Sequence, residues 1–210
     1  MKVLLVNGSP HVKGSTKRCL EEVAGAVTNW GIDVEYFELG EGPFYGCTAC
    51  HKCDATHRCQ FSDDPANALI DAMAGADGII IGTPVYYASA NGALCAVLDR
   101  AFYAAASSFA GKPAAAIAVC RRGGLETSVD RLSKYFTINE MPVPSSQYWN
   151  GAHGVGAREV AQDAEGMQIM RTLGHNMARM LLQQQAAAGA VAARPQENRA
   201  RTNFIHQASE

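Results

Sequence analysis

The chain lacks a charge surplus, a long apolar run and the commonest nucleotide and nucleophile signatures, and each absence removes a class of function. Eighteen Lys and Arg residues stand against twenty Asp and Glu, a formal net charge of −2. No basic surface therefore calls for nucleic acid, and no run of one sign marks a charged tail. The apolar start Val3-Leu4-Leu5-Val6 is broken at once by Asn7-Gly8-Ser9-Pro10, too short for the core of a secretory signal. No segment reaches the roughly 20 apolar residues that span a bilayer, so a cytoplasmic location is expected. The first loop is neither Gly-x-Gly-x-x-Gly nor the Gly-Lys-Ser/Thr nucleotide pattern. No Gly-x-Ser-x-Gly elbow is present, and the six histidines suggest no triad. No internal repeat occurs.

What is present reads as one α/β domain. With 210 residues, 48% of them hydrophobic, one sizeable core fits better than two small ones. Apolar runs alternate with amphipathic stretches. Strands are expected at 3–6, 34–39, 78–82 and 114–120, with a short fifth within 142–149. Helices are expected from 15 to about 30, from Asp64-Pro65 onward with Pro65 at the first helical position, from 91 to about 106, over 126–136 and over 163–185. In the last, Met167, Met170, Leu173, Met177, Met180 and Leu181 share one side. This alternation predicts a doubly wound parallel sheet, five strands in the order 2-1-3-4-5, with helices on both faces. The domain is expected to occupy residues 1–185, with an irregular cysteine-rich insert at about 43–62. Residues 186–210 form a C-terminal extension, within which 201–205 is a candidate contact with the body or a second subunit.

Ligands on such sheets bind beyond the carboxyl ends of the strands, at the switch point. Three loops meet there. The first carries Ser9, Lys13, Ser15 and Thr16 between the first strand and its helix. Hydroxyls and unpaired amides at a helix N-terminus suit a phosphate, although Ser and Thr are also ordinary helix caps. The second, from Gly82 to Gly92, holds Pro84, Val85, Tyr86 and Tyr87, where a flat aromatic ligand could lie or where the tyrosines could simply plug an interface. The third is Arg121-Arg122-Gly123-Gly124; paired glycines permit close backbone approach or serve merely as a turn.

Seven cysteines occur, and four of them fall at Cys47, Cys50, Cys53 and Cys59. In a reducing compartment such thiols stay free, ligate metal or do redox chemistry. Three readings stand together. Four thiolates could hold a four-iron four-sulfur cluster. Four thiolates, or three with His51 or His57, could hold structural zinc. The thiols could also remain unligated. Cys19, Cys95 and Cys120 fit small apolar packing roles.

Taken jointly, Gly-Ser-Pro then Gly-Ser-Thr, the run Thr83-Pro84-Val85-Tyr86-Tyr87, the pair Asp99-Arg100 and the spacing Cys47-x2-Cys50-x2-Cys53-x5-Cys59 followed by Asp63-Asp64 resemble the flavodoxin-like NAD(P)H-dependent FMN reductases. The cysteine spacing looks like that of iron–sulfur flavoproteins. The resemblance covers roughly residues 1–150. It implies a flavodoxin-like three-layer sandwich and an FMN whose phosphate meets Ser9, Ser15 and Thr16, with Lys13 nearby. Pro84, Val85, Tyr86 and Tyr87 would cradle the flavin ring, and Gly123 and Gly124 would flank it. His11 stands where these proteins often carry Arg. Electrons would pass from NAD(P)H through FMN to a quinone, flavin, azo or nitro compound or a redox centre. The alternatives are an electron carrier served by ferredoxin and a zinc-stapled interaction module. In flavin enzymes the cofactor does the chemistry, so no side chain is assigned a catalytic role. The resemblance also implies a homodimer or homotetramer.

Overall fold

Strand β1 (Lys2–Asn7) is buried on both faces, as its uninterrupted apolar run requires. Leu4 and Val6 point into one core, and Val3 and Leu5 into another on the opposite side of the sheet. The computed structural model describes residues 1–192 together with Pro195, Glu197, Asn198 and Ala200. After β1 come α1 (Ser15–Thr28), β2 (Asp33–Glu38), a single turn α2 (Cys53–Thr56), α3 (Ala66–Ala74), β3 (Gly78–Tyr86) and β4 (Ser89–Ala90). They are followed by α4 (Gly92–Ala105), a 3-10 turn (Ala106–Ser108), β5 (Ala114–Cys120), α5 (Leu125–Ile138), β6 (Gly151–His153), α6 (Ala157–Val160) and α7 (Ala164–Ala187).

The main sheet is parallel and runs β2-β1-β3-β5-β6. Its five parallel strands thus keep the expected order, displaced in number only by the small antiparallel β4. On one face α3, α4 and α5 cover a core built on Leu69, Leu94, Leu98, Phe109 and Phe136. On the other, α1 and α7 cover Leu20, Val23, Met170, Leu173 and Met177. Gly174 lets the two helices touch: a Cβ there would stand 2.7 Å from both Ala26 Cβ and the Val23 carbonyl oxygen. Met180, expected on the buried side, is only half-buried, because α7 turns Ala178 and Leu181 inward in its place.

Two elements differ from the expectation. The fifth strand does not lie within 142–149. Pro142 and Pro144 have no amide to give a ladder, so pairing with β5 begins only where Gly151 meets Ala118. The third strand does not stop at Gly82. It continues to Tyr86, turns on Tyr87 and Ala88, and returns as β4, with Val85 opposite Ala90 and Tyr86 opposite Ser89. Smaller shifts occur at helix ends. Pro65 precedes α3 as its cap, and Asp163 caps α7, its side chain accepting from the Gly166 amide. The expected contact at residues 201–205 lies outside the described residues. Among the described residues no helix is long and apolar enough to cross a membrane.

Candidate functional site

The first loop is built by its own side chains. Asn7 Oδ1 accepts from the Ser9 amide at 3.2 Å, Ser9 Oγ accepts from the His11 amide at 3.1 Å, and the Gly14 amide donates to the His11 carbonyl at 3.1 Å. These bonds fold residues 7–14 into a tight approach to α1. The chain enters that helix at Gly14, so no side chain caps it among the described residues. Its first amides are left to whatever sits at the helix start, where the helix dipole favours negative charge. Thr16, in the first turn, is 1% exposed. Its Oγ1 is buried and has no hydrogen-bond partner among the described residues, and its methyl packs where a side chain on Gly82 of β3 would stand. Ser9 is buried, Ser15 half-buried, and His11 and Lys13 exposed.

The second loop is the hairpin. Tyr87 and Ala88 both adopt left-handed backbone, φ 47° and 60°, a conformation costing non-glycine residues about 1–2 kcal/mol each. The two-residue turn holds the Tyr87 ring fully in solvent and leaves Tyr86 largely exposed, while Pro84 and Val85 are half-buried beneath. The third loop meets the hairpin directly. Gly124, φ +88°, lies so close that a Cβ would stand 2.5 Å from Ala88 Cα and 2.8 Å from a Val85 methyl; here glycine is required by backbone angle and space together. Gly123 is exposed.

One residue not singled out in the sequence joins these loops. Asn91 caps α4, its Oδ1 accepting from the Ala93 amide at 3.1 Å. Its Nδ2 donates to the Gly8 carbonyl at 2.7 Å, and its amide donates to Thr83 Oγ1 at 3.0 Å. The Gly8 amide in turn donates to the Gly82 carbonyl at 2.8 Å. The first and second loops are thus one hydrogen-bonded unit, with the third packed against it. The only sequence signal was Asn before a helical run, which marks a cap but not the reach of its amide.

The second candidate site is the cysteine insert. Cys47, Cys50, Cys53 and Cys59 all line one pocket, together with His51, Phe61 and, from α4, Arg100 and Tyr103. Three non-glycine residues around them, Ala49, His51 and His57, have left-handed backbone, strain of the kind that collects at functional loops. The Cys59 end is firmly held. Asn67 of α3 accepts from the Cys59 amide at 2.9 Å and donates to the Cys59 and Phe61 carbonyls at 3.0 and 3.2 Å. Arg58 and Asp71 form a two-point pair. The Cys47 and Cys50 end is exposed. Burial pushes the Cys53 thiol above its ordinary value, with Asp54 and the neighbouring Cys50 and Cys47 adding in the same direction. Among the described residues, no three His, Cys, Asp or Glu side chains already stand in a metal-ligating arrangement. Outside the insert, Cys19 is buried in the core and its thiol is pushed up to about 12 by that burial.

Beneath the pocket lies an ion pair. Arg100 of α4 is 2% exposed and donates through Nη2 to Asp64 Oδ2. Its Nη1 lies 3.6 Å from Cys59 Sγ, and its guanidinium stands 5.8 Å from the centre of the Phe61 ring.

Comparison with known proteins fits this geometry. The family described as NADPH-dependent FMN reductase matches residues 1–156. An iron–sulfur flavoprotein of Methanocaldococcus jannaschii is 28% identical over 191 residues, covering 86% of this chain and 97% of the relative. A solved structure described as a flavone reductase superposes with a TM-score of 0.70 at 18% identity, over 89% of this chain and 65% of that one. An archaeal flavodoxin does so with a TM-score of 0.60 at 15% identity, over 87% and 99%. The parallel sheet, its strand order and the family match agree: the chain belongs to the NADPH-dependent FMN reductase family and is a flavodoxin-like flavin oxidoreductase.

Proposed function

We propose that the three joined loops bind FMN and that the protein passes electrons from reduced nicotinamide to a small acceptor or a redox partner. The observation that carries this reading is the buried, unpartnered Thr16 hydroxyl at the uncapped start of α1. A buried donor left unsatisfied costs about 1–3 kcal/mol, and a phosphate group beside the helix start would satisfy it. Ser9, Ser15 and Thr16 are assigned to that phosphate, with Lys13 close enough in sequence to add charge from solvent. Pro84, Val85, Tyr86 and Tyr87 offer an apolar and aromatic ledge for the ring, with Gly123 and Gly124, whose loop packs against the hairpin, flanking it. When bound, FMN supplies the redox chemistry, taking a hydride from NAD(P)H and giving two electrons to a quinone, flavin, azo or nitro acceptor. The protein's part is to hold the ring, and no side chain is assigned as acid or base.

The cysteine pocket is assigned to a four-iron four-sulfur cluster. Donor number and type fit: four thiols line one pocket beside a buried guanidinium, and the M. jannaschii relative carries the name iron–sulfur flavoprotein. That name also favours a second reading, an electron carrier fed by a protein such as ferredoxin. A homodimer or homotetramer in the cytoplasm completes the proposal.

The test is anaerobic purification followed by a visible spectrum and mixing with NADH or NADPH. Flavin bands that bleach promptly with a nicotinamide support the enzyme; bleaching only after reduced ferredoxin supports the carrier. A colourless protein that takes up no added FMN overturns both. Zinc in place of iron and sulfide would make the insert a structural staple.

A further inference from the structure

We propose that Arg100 is a positioning residue for the cysteine pocket, which sets how tightly Cys59 holds its ligated group and how readily that group accepts an electron. The inference rests on the cluster assignment above and concerns residues outside the cysteine motif itself.

An arginine this deeply buried needs partners for its charge and its five N–H donors. Asp64 supplies one carboxylate; the two side chains are 1% and 6% exposed. Nε lies 3.4 Å from the Ala96 carbonyl of the preceding helical turn. The remaining direction, through Nη1, is toward Cys59 Sγ. The Phe61 ring lies beside the guanidinium, and the contacts with Ala96, Asp64 and Cys59 fix the fork in orientation. Removing one partner of a buried ion pair strands the other charge and is strongly destabilising. The pair's placement makes sense if sulfur is to carry negative charge at that spot. Four thiolates around an iron–sulfur core leave a net negative charge, and hydrogen bonds to cluster sulfurs are among the protein's means of tuning its potential. Asp64 pairs with Arg100 through Oδ2 while its Oδ1 accepts from the Ala66 amide at 3.1 Å, and Arg100 faces the sulfur. Lysine could replace the charge but not the two-direction fork that grips Asp64 and Cys59 together.

The sign of each effect follows. Taking up one electron adds one negative charge, with dithionite as the donor in a titration. Arg100→Gln removes the nearby cation and lowers the midpoint potential. Asp64→Asn removes the opposing anion and raises it. Arg100→Lys keeps the charge, so the potential stays near that of the unmodified protein, while iron is lost faster because the directed contact with Cys59 is weakened.

The experiment uses the full chain, purified anaerobically or reconstituted with iron and sulfide. Iron, sulfide and FMN are measured per chain, the rate of iron loss to a chelator is followed, and an EPR-monitored redox titration is run. Opposite shifts in Arg100→Gln and Asp64→Asn, with FMN content unchanged, are the expected result. Unshifted potentials in Arg100→Gln and Asp64→Asn, or shifts of one sign in both, overturn the role of Arg100. If Arg100→Gln does not fold, the upward shift of Asp64→Asn is read against the unshifted Arg100→Lys, and equal potentials in those two overturn it as well. A parent protein that binds FMN but takes up neither iron nor sulfide overturns the cluster assignment instead, and is recognised before any variant is made.

Discussion

The amide nitrogen of the Asn91 side chain donates to the Gly8 carbonyl at 2.7 Å, across 83 residues of sequence. The same side chain caps α4 through its oxygen. One residue therefore fixes both the start of a core helix and the backbone of the first loop. Asn91→Asp separates the two roles: it keeps the capping oxygen and removes the donor. We expect FMN affinity to fall by roughly tenfold, about 1.4 kcal/mol, while α4 stays intact by circular dichroism. Asn91→Ala loses the cap as well and is expected to unfold about 1–2 kcal/mol more easily, measured by urea denaturation. Equal FMN affinity in the parent and Asn91→Asp would separate the Gly8 contact from cofactor binding.

Thr16→Val should give effects of opposite sign on stability and binding. Replacing an unsatisfied buried hydroxyl by a methyl of the same shape removes a desolvation penalty, so the apoprotein should gain about 1 kcal/mol in urea denaturation. FMN affinity should fall by about tenfold, read by flavin fluorescence quenching. A variant that is stabilised and binds FMN as tightly as before would move the phosphate elsewhere.

The hairpin turn is strained at both central residues, and Asn-Gly is the sequence that such a turn prefers. Tyr87→Asn combined with Ala88→Gly should therefore raise apoprotein stability by roughly 1 kcal/mol. Tyr86→Ala, which leaves the turn alone, should accelerate FMN loss on dialysis more than it lowers the melting temperature. If FMN retention follows the melting temperature in every variant, the tyrosines act only in folding.

Glu22 makes a pH-dependent contribution. Burial alone would push its carboxyl up, but hydrogen bonds from Arg171 and Arg18, with the charges of both, outweigh burial and hold it below its ordinary 4.5. A carboxylate favoured in the folded state adds stability above its unfolded value and loses it as pH falls through the lower, folded one. Stability should therefore drop below about pH 4.5, and Glu22→Gln should flatten that part of the curve while being less stable at neutral pH. The urea midpoint measured across that range is the check.

The sheet was legible because its strands carry local signals. Ala114–Cys120 is an apolar run bounded by Gly111-Lys112-Pro113 on one side and Arg121-Arg122-Gly123-Gly124 on the other, and its ends need no tertiary information. The fifth strand was misplaced because apolar Val143, Tyr148 and Trp149 suggested pairing, whereas Pro142 and Pro144 withhold the donors that a ladder needs. The hairpin after Gly82 was hidden because Tyr87 and Ala88 are poor turn residues by local preference. Asn91 announced itself only as the start of a helical run, and Arg100 only as half of the Asp99-Arg100 pair. Their roles lie in partners 83 and 41 positions away, and periodicity within a helix does not encode such distances.

Helix α4 begins at the cap that holds the first loop and passes beneath the cysteine pocket at Arg100. Nine residues at 1.5 Å each separate these points by about 14 Å along its axis. One helix thus joins the first loop to the cysteine pocket. Saturating the apoprotein with riboflavin 5′-phosphate should slow deuterium uptake at the amides of residues 59–61 as well as at those of the first loop.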